Sequence, residues 1–124
     1  MKLTDNFWLE EFGCKDGTPV PQHLMTNVQK LADNLQVLRN TIHEPIFINS
    51  AYRTVEHNSK IGGSMRSQHL FAKAADIKVG EGFTPNIIYQ LIEELIRDGL
   101  MTEGGLGLYD TFVHYDVRGY KARW

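Results

Sequence analysis

A single cysteine, Cys14, stands among the 124 residues, so no internal disulfide can staple the fold. Its simplest role is that of a small buried side chain. Long apolar runs are also missing: nothing approaches the roughly 20 residues that cross a bilayer, which excludes a membrane-spanning helix. The opening stretch "MKLTDNFWLEEFGCKDG" has Lys2, but Asp5, Glu10 and Glu11 break any apolar segment. It does not read as a signal peptide, and the expectation is a soluble protein, cytoplasmic as synthesised. No charge of one sign dominates: Lys and Arg number 13, Asp and Glu 15, for a formal net charge of −2. Nucleic-acid binders usually carry a clustered basic face, so nucleic acid is not an expected partner. Repeats, low-complexity tracts and linkers are absent too. What is there is ordinary globular composition, 42% hydrophobic and 23% charged, at a length that suits one core. A single domain over residues 1–124, acting as a monomer, is expected.

Two helices announce themselves by periodicity. From Pro21 to about Ile42, Leu24, Val28, Leu31, Leu35 and Leu38 recur at three- and four-residue steps, an apolar stripe able to cover one side of a sheet. In "TPNIIYQLIEELIRDG", Thr84 suits the N-cap, Pro85 the first helical position, and Gly99 the stop, with Ile88, Leu91, Ile92 and Leu95 on one face. Strand-like segments lie between and after them: "IFINSAYR" (46–53), "KAADIKV" (73–79), "GGLGLY" (104–109) and "FVHYDVR" (112–118). The order predicts an α+β domain with a small, largely antiparallel sheet, helices packed on it, and the loop 54–68 passing over one end.

Asp76 sits between Ala74, Ala75, Ile77 and Val79, and an ionised carboxylate buried there needs a partner. In "FVHYDVR", side-chain alternation puts His114 and Asp116 on one face and Val113 and Tyr115 on the other. His69, seven residues before Asp76, completes two imidazoles and a carboxylate, a set suited to zinc with one position left for water. A lone histidine in a strand is, however, more often a hydrogen-bonded core or surface residue than a ligand. His23, His43 and His57 read as bystanders, and Gly62 and Gly63 as turn residues.

Ordered motifs along most of the chain add a resemblance. The run from Ser67 through His69, Ala72 and Ala74 to Asp76 resembles the S-x-H-x-x-G-x-A-x-D motif of the M15 zinc peptidases, with Ala72 in the place of glycine. "NFWLEEFGCKDG", "INSAYRT", "HNSKIGGSMRSQH" and "GGLGLYDTFVHYDVRGYKARW" are similar to further elements of the short M15 subgroup. The resemblance implies an M15 (hedgehog-like) peptidase fold with one catalytic zinc on the sheet, held by His69, Asp76 and His114. It also implies hydrolysis of an amide in peptidoglycan stem peptides or crosslinks, by a D,D-carboxypeptidase or endopeptidase such as a phage or prophage endolysin released to the wall by a lysis system.

The resemblance places Arg53 at the substrate, where a guanidinium can hold a carboxylate in a fork; a structural salt bridge is the alternative. Ser67 could contact substrate or satisfy backbone groups in its turn. Many members carry an acidic base three residues before the last histidine, where this chain has Thr111. Asp116 is the first candidate for base and Asp110 the second, while Asp116 could instead fix a ligand histidine. Two other functions stay open: a catalytically silent zinc-binding domain that recognises cell-wall peptide or a protein partner, and a zinc amidohydrolase acting on another small peptide.

Overall fold

The apolar stripe of the first helix lies where it does because it is covered. In the computed structural model, which describes residues 1–124, helix α1 (Met25–Ile42) buries Val28, Leu31, Ala32, Leu35, Leu38 and Ile42. The helix proper begins four residues later than Pro21, because Gln22–Leu24 form a tighter 3-10 turn ahead of it. It ends at His43, which takes a left-handed φ of 58° and donates its backbone N–H to the Arg39 carbonyl. Strand β1 (Ile46–Ser50) follows. A short helix α2 (Val55–Lys60), capped by Thr54, then occupies the segment expected to be loop. Strand β2 (Ala74–Val79) leads to helix α3 (Pro85–Arg97). Its start follows the sequence signals: the Thr84 hydroxyl accepts from the Ile87 N–H and Pro85 fills the first turn. Strands β3 (Gly105–Leu108), β4 (Val113–Asp116) and β5 (Ala122–Arg123) complete the chain.

The five strands form one sheet in the order β1-β2-β4-β3-β5, antiparallel except for the parallel β3–β5 pair. Residues Ala75, Ile77, Val113 and Tyr115 point to one face, where Val28, Leu35, Ile88 and Ile92 join them in the core. Tyr115 buries its ring there and donates its hydroxyl to the Thr102 carbonyl at 2.7 Å. The other face carries Asp76 and His114, paired directly across β2 and β4, and the segment between β1 and β2 lies over it. A bulge between Ile48 and Ser50 shifts the β1 register so that Ser50 stands opposite Asp76.

Leu35 has no exposed surface at all. Leu35→Ala should therefore cost about 2–5 kcal/mol of stability, read as a lowered denaturation midpoint at an unchanged slope.

Candidate metal centre

The register of the sheet sets His114 beside Asp76, and a local turn delivers the third group. Ser67 caps the 3-10 turn Gln68–Phe71 by accepting the His69 backbone N–H at 3.2 Å. The turn ends at Ala72 with a left-handed φ of 55°. That conformation is open to glycine at little cost, which accounts for glycine in the motif that this chain replaces. His69 thereby enters the sheet face 3% exposed, next to Asp76 and His114 at 8% and 6%.

The ring protons decide what these three residues can do. His69 Nδ1 lies 2.7 Å from the Ala51 carbonyl oxygen, which can only accept, so the ring N–H is there. Its Nε2 faces Asp76 Oδ1 at 3.2 Å. His114 is turned the other way: Nε2 meets Asp116 Oδ2 at 2.7 Å, and Nδ1 faces the same Asp76 Oδ1 at 3.1 Å. A neutral imidazole has one N–H, and both rings direct theirs away from Asp76. Two nitrogen lone pairs and a carboxylate oxygen thus converge, all within 4.8 Å of one another. Such a set repels itself unless a cation stands among the three, and two nitrogens with one oxygen suit zinc. His69, Asp76 and His114 therefore form a candidate metal-binding triad.

Where the rings take up a second proton in place of a cation, burial works to raise the Asp76 carboxyl, but hydrogen bonds and charge from His114 and His69 outweigh it and hold the group below the ordinary carboxylate range. For His114, burial favours the neutral ring, while Asp116 and Asp76 pull harder the other way and raise it.

Asp116 is buried beside His114 and does not line the cleft. Its carboxylate has no exposed surface and accepts from His114 Nε2, the Gly105 N–H at 2.8 Å, the Arg118 N–H at 3.1 Å, and the Arg118 guanidinium at 2.9 and 2.8 Å. Burial would push it up, but these donors, His114 and Arg118 foremost, hold it well below its usual value. It grips the far nitrogen of His114, away from Asp76. These contacts suit the alternative reading of Asp116, in which it fixes the orientation of His114. Asp110 is exposed in the turn between β3 and β4 and does not line the cleft over the triad, and neither does Thr111.

That cleft has a volume of about 680 Å³. Arg53 lines it and makes the structural contacts too: Nη2 to Asp76 Oδ2 at 3.3 Å, Nε to Ser50 Oγ at 3.2 Å, and Nη1 to Asn58 Oδ1 at 3.3 Å. Ser67 lines it as well as capping its turn. None of His23, His43 and His57 reaches it.

The walls include residues given no role from the sequence: Arg66, Arg118, Tyr109 and Trp124. The Trp124 ring packs 4.9 Å from the His114 ring and donates its indole N–H to the Tyr109 hydroxyl at 2.8 Å. Gly107 makes room for it, since a Cβ there would lie 2.4 Å from the indole nitrogen. Likewise a Cβ on Gly105 would lie 2.1 Å from Asp116 Oδ2. The signal for these residues was the motif ending that contains Arg118 and Trp124, which spacing alone does not connect to a cleft.

Comparison with known proteins agrees with this geometry. A family model described as peptidase M15 matches residues 5–116. A curated relative, the zinc D-Ala-D-Ala carboxypeptidase of Streptomyces albus G, is 39% identical over 51 residues. That match covers 40% of this chain and 20% of the relative, so only a fifth of the relative's length is represented.

Proposed function

Because the chain belongs to the peptidase M15 family, a family of zinc metallopeptidases, we propose that it hydrolyses an amide bond in peptidoglycan stem peptides or crosslinks. The observation that carries this reading is the convergence of His69, Asp76 and His114 at a cleft whose walls hold three guanidinium groups, Arg53, Arg66 and Arg118. Zinc bound by the triad would supply Lewis-acid polarisation of the scissile carbonyl and a more acidic water.

The remaining work belongs to the chain's own residues. The Ala51 carbonyl and Asp116 fix the two histidine tautomers, so both ligand nitrogens are ready without reorganisation. Arg53 is held at the cleft wall by Ser50, Asn58 and Asp76, and its remaining N–H groups would fork a carboxylate of the stem peptide. Ser67 borders the same space and can hydrogen-bond the peptide backbone. Trp124 and Tyr109 give an apolar wall against which the chain of the substrate can lie. With Asp116 committed to His114, Asp110 is the remaining candidate for base; it stands outside the cleft, in the turn that bears the cleft residues Tyr109 and Phe112, so the role requires that turn to carry it inward. Action as a monomeric phage or prophage endolysin belongs to the same proposal, and both terminal and crosslink cleavage fit it.

A second reading has an observation of its own. Asp76 is the only carboxylate lining the cleft, which favours a domain that binds cell-wall peptide or a protein partner through zinc without cutting. Mass spectrometry of muropeptides incubated with the zinc-loaded protein separates the two. Cleavage is expected with zinc and not after chelation. Asp110→Asn should keep the metal and lower turnover by about 100-fold or more, the usual scale for a lost general base. If the zinc-loaded wild type bound muropeptides and left them intact, the binding reading would replace the enzyme.

A further inference from the structure

We propose that Cys14, Asp16 and His57 form a second zinc site, outside the cleft, which fastens the segment before α1 to α2. The thiol, a carboxylate oxygen and a ring nitrogen of these residues lie within 4.8 Å of one another, and none of the three lines the cleft. A thiolate, a carboxylate and an imidazole together select a borderline-soft ion such as zinc over calcium or magnesium, which take oxygen ligands.

The chain pre-arranges this set with its own hydrogen bonds. In the turn Cys14–Thr18, Cys14 donates its backbone N–H to the Thr18 carbonyl at 2.8 Å, and Gly17 donates to the Cys14 carbonyl at 3.0 Å. Gly17 has a φ of 98°, which lets the turn close and bring Cys14 and Asp16 together. Thr54 then joins the turn to α2. Its hydroxyl donates to Asp16 Oδ2 at 2.8 Å and accepts the backbone N–H of His57 at 3.1 Å, so one side chain positions two of the three donors. Asp16 Oδ1 accepts from the Thr18 N–H at 2.9 Å.

No lysine or arginine pairs with Asp16, although its carboxyl is held well below the ordinary range, first by the Thr18 backbone and side chain and then by Thr54. An anion without a cationic side chain thus faces a thiol and an imidazole. Asp16 is exposed and His57 half-buried, so an ion and a fourth, water ligand could reach the set from solvent. The site would bear on the cleft through α2: Asn58 holds Arg53 Nη1 and donates to the Ser64 carbonyl at 2.9 Å. Zinc at Cys14 would therefore steady one rim of the cleft.

The test is metal content and cobalt spectroscopy of the whole chain. After equilibration with zinc and desalting, the wild type should carry two zinc ions per chain, and its cobalt-substituted form should show a thiolate-to-cobalt charge-transfer band in the near ultraviolet. Cys14→Ser should lower the content to one and remove the band. His69→Ala should also lower it to one and keep the band, which separates failure of this site from failure of the triad. His57→Gln, which leaves the thiol in place, should lower the content to one and serves if Cys14→Ser does not fold. A folded wild type without the band overturns the proposal, as does a Cys14→Ser protein that retains two zinc ions. A thiol that merely donates to Asp16 would give that first result.

Discussion

Asp76→Asn is expected to remove zinc from the cleft and hydrolysis with it, while the circular dichroism of the chain stays that of wild type. The exchange preserves shape, so β2 keeps its pairing with β1 and β4. What changes is charge. The carboxylate whose Oδ1 faces both ring nitrogens and whose Oδ2 meets Arg53 becomes a neutral amide. An amide oxygen is a weaker ligand, and an amide NH₂ turned to that side would present protons to the metal position. The loss of affinity should exceed the roughly 10–100-fold typical of removing a group that only orients a ligand. Zinc titration by calorimetry reads it directly, and retention of wild-type affinity would remove Asp76 from the ligand set.

Asp116→Asn should act at one remove and nearly as strongly. Every group that contacts the Asp116 carboxylate is a donor: His114 Nε2, two backbone N–H groups and the Arg118 guanidinium. An asparagine amide has donors on one side, so whichever way it turns, donor meets donor. With the NH₂ toward His114, the imidazole is driven to carry its proton on Nδ1, the nitrogen that faces Asp76, where it blocks a metal. With the NH₂ toward Gly105 and Arg118, buried donors are left without partners, at about 1–3 kcal/mol each. Zinc affinity should fall about 10–100-fold, with activity falling in step at limiting zinc and recovering in excess zinc. Activity lost at full zinc occupancy would instead give Asp116 a direct part in proton transfer.

The contrast between these two aspartates shows what the sequence carried and what it could not. Alternation along "FVHYDVR" put His114 and Asp116 on the same face, and the structure has them there. Alternation does not say which edge of a ring a neighbour meets. Residues two apart on a strand are about 6.6 Å from each other along it, so Asp116 reaches the far nitrogen of His114 while Asp76, paired across the strands, meets the near one. Helix α3 was legible because Thr84, Pro85 and Gly99 punctuate it locally. Helix α2, six residues long, has too few turns for a periodic stripe, and the two-residue strand β5 exists only by pairing with β3. Trp124 joins the cleft through that same long-range pairing, which no window of neighbouring residues contains.

Strand β3 takes part in the centre by absence. Gly105 and Gly107 stand two apart on one face, and each leaves a space that a neighbour fills, the Asp116 carboxylate at one and the Trp124 indole at the other. Neither glycine offers a donor atom to the triad from a side chain, yet a single added carbon at either would displace a group that touches His114. A scan that scored tolerance position by position would therefore mark both as severely as ligands. An inventory of chemically reactive residues would pass over them. The centre is thus partly encoded in negative, as a mould whose hollow residues are as informative as those that fill it.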